Sequence, residues 1–344
     1  MSQLDPQEPR LTEAEAARIF VQDIVPDLLA GGQPSEQPIV VIVAGQPGAG
    51  KSRAQAALLA ALGREDTVSI DADDLRPYHP RYDELARADD LTASARAHPE
   101  AARWVSMAID YVITRHVDVV VSATLGSPDT AATMIDRFRQ ADYRVEVAVV
   151  AVDDVRSRLG VLSRYQSQRD QLGIGRYVPP DAQRRAYTGL LDTVDRIDRE
   201  HLVDAVHVYN RNGQQLYTNQ RAATGWDQTA GTRAAIEIER ARGWTPDEAT
   251  QVVTTANELA RYLRVELRGE LAAVVRDARD RVHAVRADSP ESAAPTTSVD
   301  PAHRAAQAWS TPTQQALRRA SPPLTPPPTR FTRQDERDDR GPAR

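Results

Sequence analysis

The sequence contains no cysteine, and its apolar runs are all much shorter than a membrane span. The absence of cysteine excludes disulfide bonds and metal sites built on thiolates. A transmembrane helix requires roughly 20 apolar residues, and the first residues lack the basic and apolar regions of a signal peptide. The formal net charge of −6 argues against a general electrostatic attraction to nucleic acid. We therefore expect a cytoplasmic protein with neither a membrane nor a nucleic-acid partner.

Lysine is almost as scarce as cysteine. All but one of the 43 basic residues are arginine, and the exception is Lys51. A lysine ammonium is a compact point charge, whereas an arginine guanidinium is a wide planar fork. The single lysine therefore indicates a site where arginine cannot replace it.

Apolar runs alternate with helical periodicity along the first part of the chain. Residues 11–30 have the spacing of an amphipathic helix, and residues 39–44 form a continuous apolar run typical of a strand buried on both faces. Similar runs lie at residues 67–70, 117–121, 145–152 and 205–209. This alternation predicts an α/β fold with a parallel sheet flanked by helices. Residues 205–217 predict a hairpin at the sheet edge.

The composition changes twice toward the C-terminus. We predict a main domain over residues 1–225, which carry the alternation of strands and helices. Residues 226–286 are rich in Ala, Arg and Glu at helical spacing, which predicts a helical extension. Residues 287–344 are rich in Pro, Ser, Thr and Arg, and we expect a disordered tail because such a segment buries little apolar surface.

The eight residues after the first apolar run match the P-loop pattern GxxxxGK[ST] and precede a helix-forming segment. They are Gly45, Gln46, Pro47, Gly48, Ala49, Gly50, Lys51 and Ser52. Backbone N–H groups and the helix N-terminus of such a loop surround the phosphates of ATP or GTP. Lys51 would reach the β- and γ-phosphates, and the Ser52 hydroxyl would ligate Mg²⁺. A glycine-rich structural turn needs no lysine, so this stretch predicts a nucleotide site.

Three aspartates, Asp71, Asp73 and Asp74, follow the second apolar run. In an open α/β sheet, ligands bind beyond the carboxyl ends of the strands. A carboxylate there can accept the proton of a hydroxyl group and hold that group in line with the γ-phosphate. Aspartates at such junctions also cap helices and shape turns, which is the role we expect for Asp74.

Several motifs of this chain occur together in one known family. They are the P-loop, Asp71-Ala-Asp73 followed by His79-Pro80, Ser163-Arg-Tyr165, Gly175-Arg-Tyr-Val-Pro179 and Asn210-Arg-Asn-Gly-Gln-Gln-Leu-Tyr217. Together they resemble the zeta toxins, bacterial P-loop kinases that phosphorylate the 3′-hydroxyl of UDP-N-acetylglucosamine and occur in toxin–antitoxin pairs. The resemblance covers about residues 12–218. It implies a P-loop kinase-like fold and a possible protein antitoxin as partner.

The resemblance also implies catalytic roles for individual residues. Asp73 corresponds to the catalytic base, with Asp71 as a more structural partner. Lys51, which would reach the β- and γ-phosphates, is a further predicted catalytic residue. Arg164 and Arg176 correspond to two arginines of a lid that contact the transferring phosphate. We call residues 163–179 the arginine lid. Guanidinium groups suit this role because they neutralise charge on the phosphate oxygens.

The acceptor side of the resemblance is less complete. Asp73, His79 and Thr124 are the predicted acceptor contacts, although a lone histidine is more often a capping or packing residue. The family has Glu-Gly-Thr and then an Arg where this sequence has Ser122-Ala-Thr124 and Gly126, and an acidic sugar contact near Ser106 is also missing. The sequence therefore supports a nucleotide site more fully than a sugar site.

Three functions stay open at this point. The first is a zeta-like kinase of UDP-N-acetylglucosamine or a related nucleotide sugar. The second is a kinase of another hydroxylated small molecule, such as a cofactor or an antibiotic, because one core can serve several acceptors. The third is a catalytically inactive nucleotide-binding protein that acts through its C-terminal part.

Overall fold

The computed structural model describes residues 10–64, 67–223 and 225–287. The predicted tail lies outside these residues, apart from its first position. The described strands are β1 Ile39–Ala44, β2 Val68–Asp71, β3 Val119–Ala123, β4 Arg144–Ala151, β5 Ala205–Asn210, β6 Gln215–Ala222 and β7 Gly225–Trp226.

These strands form one mixed sheet in the order β2-β3-β1-β4-β5-β6-β7. The first five are parallel, and β6 and β7 continue the sheet as antiparallel strands. At the carboxyl edge, Ala44 of β1 pairs with Ala123 of β3, and Asp71 of β2 pairs with Ser122 of β3. The predicted α/β fold and the edge hairpin are confirmed. The segments that follow β1, β2 and β3 therefore leave the sheet side by side.

Helices flank the sheet and follow it in the chain. The α-helices are α1 Glu13–Ile19, α2 Lys51–Leu62, α3 Ala72–Leu75, α4 Tyr82–Ala88, α5 Ala93–Arg96, α6 His98–Arg115, α7 Pro128–Arg139, α8 Asp154–Leu172, α9 Pro180–Glu200, α10 Thr232–Ala241, α11 Pro246–Tyr262 and α12 Arg268–Ala287. Arg76–Tyr78 and Val265–Leu267 are 3₁₀ turns.

The N-terminal helix differs in one respect from its predicted form. Thr12 and Glu15 form a capping box at its start, and α1 continues from Phe20 to Leu29 as a π-helix. Pro26 lies inside this segment. Proline has no amide hydrogen to donate, so the α-helical hydrogen bond from position 26 to position 22 is absent. The amphipathic spacing therefore predicted a helix correctly but not its type.

The alternating side chains of β1 divide the core between the two faces of the sheet. Val40, Ile42 and Ala44 pack with apolar side chains from α1, α6, α7, α9 and α10. Val41 and Val43 pack on the other face with α2. Both faces are covered by helices, which explains the continuous apolar runs of the central strands.

The segment after residue 225 packs in two different ways. Ile236 of α10 is fully buried in the core that contains the central strands. Helices α11 and α12 instead share a separate apolar cluster with α8. Helix α10 thus lies beyond residue 225 and still packs against the sheet. The division into domains at that residue stays a prediction.

Over the ranges that the structure describes, we find no helix with the length and apolar character needed to span a bilayer.

Candidate active site

The P-loop connects β1 to α2 at the carboxyl edge of the sheet. Gly48 and Gly50 have φ angles of 78° and 87°, a conformation that favours glycine. Gly48 must also lack a side chain, because a Cβ atom there would overlap the carbonyl oxygen of Ser157 in α8. Helix α2 begins at Lys51, directly after Gly50, so its N-terminus adjoins the loop. This arrangement favours an anion at the loop.

Distant parts of the chain hold the P-loop in place. The fully buried Gln46 donates from Nε2 to the Val152 carbonyl oxygen at 3.1 Å and accepts from Arg240 Nη2 at 3.4 Å. Arg211, in the turn between β5 and β6, donates from Nη1 to the Gly48 carbonyl oxygen at 2.6 Å. Arg240 and Arg211 therefore fix the P-loop by hydrogen bonds, one to the Gln46 side chain and the other to the Gly48 carbonyl oxygen.

Lys51 lies between the P-loop backbone and the aspartates. Its Nζ donates to the Gly45 carbonyl oxygen at 3.3 Å. Burial lowers the pKa of the Lys51 ammonium, although the carboxylates of Asp71 and Asp73 act in the opposite direction. A poorly solvated positive charge is stabilised by an incoming anion. The position and environment of Lys51 therefore suit phosphate binding.

The aspartates are separated by the end of β2 and the start of α3. Asp71 is the last residue of the strand, and its Oδ1 accepts the Asp73 amide hydrogen at 2.8 Å, which caps α3. Asp74 lies in the first turn of α3, where burial and then the Asp71 carboxylate raise the pKa of its carboxyl group. Asp71 therefore caps α3, and Asp74 lies within the first turn of that helix.

Both carboxylate oxygens of Asp73 accept hydrogen bonds from guanidinium groups. Arg76 donates to Oδ1, and Arg164 of the arginine lid donates from Nη1 to Oδ2 at 2.9 Å. Burial acts to raise the pKa of Asp73, but the charges of Arg76, Arg164, Arg176 and Lys51 together hold it below its usual value. Asp73 is therefore ionised at neutral pH.

A cleft of about 580 Å³ opens between α2, the end of β2 and the arginine lid. Its lining residues are Ser52, Gln55, Ala56, Leu59, Ser69, Asp71, Asp73, Asp74, Arg164 and Arg176. The cleft brings together the predicted metal ligand, the predicted base and both lid arginines. Ala49, in contrast, packs into the apolar core beside α2.

Two predicted acceptor contacts, His79 and Thr124, are not among the described residues that line this cleft. His79 accepts the Arg81 amide hydrogen through Nδ1 at 3.2 Å, which is a local turn contact. Thr124 is exposed in the loop between β3 and α7. Their predicted roles therefore depend on an acceptor that reaches beyond the cleft.

Sequence reasoning missed Arg76. Its contact with Asp73 is as direct as that of Arg164, and its side chain is largely buried. With arginine so common in this chain, composition gave no reason to select it. The spacing of three residues from Asp73 was a usable signal, because positions i and i+3 meet on one face of a helix.

The positions that depart from the family pattern have other partners. Ser106 lies on the exposed side of α6, where Arg137 of α7 donates to its Oγ and its carbonyl oxygen, each at 3.2 Å. Ser122 stands next to Asp71 across the β2–β3 pair. Ser122 is therefore the departure that adjoins the acidic cluster.

Gly126 is in direct contact with α9. A Cβ atom at Gly126 would lie 3.1 Å from Ala186 Cα, and one at Gly189 would overlap the Gly126 carbonyl oxygen. Next to it, Leu125 has a φ of 48°, and its carbonyl oxygen accepts the Thr193 hydroxyl at 2.7 Å. Helix α9 thus lies in close contact with position 126, and a side chain there would require the helix to move slightly.

The donors of the cleft fit a magnesium ion bound together with phosphate. In the part of the chain that the structure describes, no three His, Cys, Asp or Glu side chains come together as a metal site. Mg²⁺ is often bound by one or two protein oxygens together with substrate phosphates and water. The Ser52 hydroxyl and the neighbouring carboxylates offer such oxygen ligands on the cleft wall.

A family model decides the relationship of this chain to known proteins. The model of the zeta toxins matches residues 27–222. The chain belongs to the zeta toxin family. The match contains the P-loop, the aspartates and the whole arginine lid, and it confirms the resemblance inferred from the motifs. Helices α10, α11 and α12 lie beyond it.

Individual zeta toxins are distant relatives of this chain. Toxin zeta of Enterococcus hirae is 24% identical over 200 residues, which is 58% of this chain and 70% of the relative. Toxin PezT of Streptococcus pneumoniae is 23% identical over 202 residues, or 57% of this chain and 78% of the relative.

A solved structure shares the fold of this zeta toxin family member. It comes from the PezAT chromosomal toxin–antitoxin system of Streptococcus pneumoniae and superposes with a TM-score of 0.62 at 19% identity, covering 73% of this chain and 98% of that chain. At this identity the likeness concerns the fold alone.

Proposed function

We propose that this protein is a small-molecule kinase that transfers the γ-phosphate of ATP, or of GTP, to a hydroxyl group. The observation that carries the proposal is the contact between Asp73 and Arg164. It joins a carboxylate beside the P-loop lysine to a guanidinium of the arginine lid, and both residues line the cleft of about 580 Å³. A base and a phosphate-binding cation that line the same cleft suit phosphoryl transfer.

In the proposed reaction, the Asp73 carboxylate accepts the proton of the acceptor hydroxyl. The hydroxyl oxygen then bonds to the γ-phosphorus while the bond to the β–γ bridging oxygen breaks and the nucleoside diphosphate leaves. Lys51 contacts the β- and γ-phosphates, and Arg164 and Arg176 neutralise charge on the transferring group. Asp73 must therefore exchange its contact with Arg164 for the acceptor hydroxyl.

Ser52 is the proposed protein ligand of a magnesium ion, with the phosphates supplying further ligands. When bound, Mg²⁺ neutralises negative charge on the phosphate oxygens. The remaining P-loop residues bind through the backbone, from Gly45 to Gly50. These roles rest on the loop geometry and on the chemistry of the cleft walls.

The proposed acceptor is UDP-N-acetylglucosamine or a related nucleotide sugar, with His79 and Thr124 as additional contacts. Family membership supports a nucleotide sugar. The sequence at position 126 favours a second candidate, a different hydroxylated acceptor such as a cofactor or an antibiotic, because glycine stands there in place of the family's arginine and lies in close contact with α9. An inactive nucleotide-binding protein is the remaining alternative.

A protein antitoxin is the proposed macromolecular partner. The PezAT structure belongs to a toxin–antitoxin system, and that origin supports a similar pairing here. In bacterial cells, expression of the chain alone is expected to impair growth, and Asp73→Asn is expected to relieve the impairment. Equal growth with both versions would contradict the toxin proposal.

Phosphate transfer to a panel of acceptors tests the proposal directly. The purified chain would be incubated with Mg²⁺ and γ-labelled ATP or GTP, together with nucleotide sugars, dinucleotide cofactors or antibiotics, and the products identified by mass spectrometry. We expect UDP-N-acetylglucosamine or a related nucleotide sugar to gain one phosphoryl group, and Asp73→Asn to abolish that gain. Tight nucleotide binding without transfer to any acceptor would favour the inactive alternative.

A further inference from the structure

Helices α11 and α12 lie beyond the region that matches the family and pack against the helix that carries Arg164. We call residues 246–282, which include the turn Val265–Leu267, the C-terminal clamp. Its buried side chains form one cluster with Val155, Leu159, Leu162 and Tyr165 of α8. The clamp therefore supports α8 along one side.

Asp90, between α4 and α5, is the first polar link between the clamp and the arginine lid. The Asp90 side chain is almost fully buried. From the lid it accepts the Tyr165 hydroxyl at 2.9 Å, Arg169 Nη1 at 2.8 Å and the Gly175 amide hydrogen at 3.1 Å. From the clamp, Arg264 donates from Nη1 to Asp90 Oδ1 at 2.5 Å. A single buried carboxylate thus joins both ends of the lid to the turn of the clamp.

Tyr177 makes the second link. Its hydroxyl donates to Glu270 Oε2 of α12 at 2.5 Å, and its ring meets that of Tyr165 edge-on at 6.0 Å between centroids. At Gly175 a Cβ atom would overlap the Tyr165 ring, so the chain after α8 folds back tightly against it. These contacts therefore fix Tyr165, which follows Arg164, and Gly175 and Tyr177, which flank Arg176.

We propose that the C-terminal clamp positions the arginine lid, so that Arg164 and Arg176 face the cleft and the transferring phosphate. The proposal rests on the proposed kinase function for its catalytic consequence. Arg264 and Glu270 would be positioning residues, since they act through Asp90 and Tyr177 and not on a substrate. Charged groups with no hydrogen-bonding contact to phosphate would thereby influence the rate of transfer.

Tyr177→Phe in the full chain is the primary test, because it removes one hydroxyl and keeps the ring. Losing one partly buried hydrogen bond of this kind is expected to lower kcat by about 3- to 10-fold, with the KM for the nucleotide changed by less than about twofold. Amide hydrogen exchange across residues 173–179, followed by mass spectrometry, is expected to accelerate by a similar factor. The exchange measurement needs neither nucleotide nor acceptor.

Variants of the clamp separate positioning from general stability. Glu270→Ala should reproduce both effects of Tyr177→Phe. In Glu270→Gln, kcat and the exchange rate should stay close to wild type, because the amide oxygen still accepts the Tyr177 hydroxyl. The matched control is Arg281→Ala, compared by amide exchange at residues 173–179 alone, because Arg240 also contacts Gln46 of the P-loop. Arg281 donates from α12 to the carbonyl oxygens of Arg240 and Arg242 at 2.7 Å and 2.6 Å, and these carbonyls lie outside the lid.

The outcomes distinguish the two proposals. Faster exchange at residues 173–179 in Tyr177→Phe and Glu270→Ala, but not in Arg281→Ala, supports the positioning role of the clamp. Failure to phosphorylate any acceptor would count against the kinase function only, and would leave this exchange result unaffected. Equal effects of all three variants on exchange at residues 173–179 would overturn positioning in favour of general support. Unchanged exchange and kcat in Tyr177→Phe would also overturn it.

Discussion

The P-loop and the loop between β3 and α7 both leave central strands at the carboxyl edge of the sheet, but the rest of the chain holds them differently. Polar side chains from distant segments hold the P-loop carbonyl oxygen of Gly48 and the side chain of Gln46. Helix α9 instead packs in direct contact with Gly126. The P-loop is fixed by hydrogen bonds and borders the cleft at Ser52, whereas the loop between β3 and α7 is in close contact with α9 at Gly126. Different segments of the chain therefore fix the two loops, so that substitutions can perturb each loop separately.

The largest expected effect concerns the base on the P-loop side. Asp73→Asn should lower the rate of phosphate transfer by about 10³-fold, because general base catalysis contributes on the order of 10²- to 10⁴-fold. Nucleotide affinity should change little, since the P-loop remains intact. Transfer kinetics and calorimetric titration with nucleotide measure the two quantities. Asp74→Asn tests the division of roles among the aspartates and should retain most of the activity.

The loop between β3 and α7 should respond to a single added methyl group. In Gly189→Ala the new Cβ would overlap the Gly126 carbonyl oxygen, and overpacking of this kind costs about 1–3 kcal/mol of unfolding free energy. Urea denaturation measures the loss. Gly269→Ala is the matched control, because its Cβ meets nothing within 4 Å and alanine favours a helix by about 1 kcal/mol. Similar stability changes in the two variants would contradict a tight contact at Gly126.

A smaller effect is expected for the hydrogen bond that fixes the same loop. Thr193→Val removes the buried hydroxyl that donates to the Leu125 carbonyl oxygen, at a cost of about 1 kcal/mol in unfolding free energy. Thr188→Val, on the exposed side of α9, should change stability by less than about 0.5 kcal/mol. Chemical denaturation of both variants tests whether α9 holds the loop at this point.

The subtlest prediction returns to the P-loop side and concerns the pH at which Lys51 becomes reactive. Burial favours the neutral amine and so lowers the pKa, which means that acylation of Lys51 should begin at a lower pH than acylation of an exposed lysine. Bound nucleotide should move the midpoint upward, because phosphate stabilises the charged form. Peptide mapping separates Lys51 from the α-amino group. A midpoint at or above the ordinary lysine value would contradict the buried environment.

Local patterns predicted the features that depend on local conformation. The P-loop follows from eight consecutive residues, and the strands follow from short apolar runs, with ends within about two residues of those predicted. The π-helical segment was missed because Pro26 disturbs the backbone without changing the apolar spacing. Periodicity reports which face of a helix is buried and says nothing of its hydrogen-bond pattern.

Contacts between distant segments could not be read from the sequence. Asp73 and Arg164 lie 91 positions apart, and only the family resemblance singled out that arginine among so many. The clamp shows the same limit, because its helices were predicted from composition but their packing on α8 was not. A helical pattern does not name its partner. The catalytic roles assigned to Lys51, Asp73, Arg164 and Arg176 stay predictions until transfer is measured.

The contact between Gly126 and Gly189 also restricts how this chain can change by successive substitutions. A larger residue at either position is unfavourable while α9 keeps its present course. The restriction is stronger at position 189, where an added Cβ would overlap the Gly126 carbonyl oxygen, than at position 126, where α9 would have to give only slightly. Directed evolution toward a new acceptor should therefore leave Gly189 unchanged, and substitutions at position 126 should be accompanied by changes in α9.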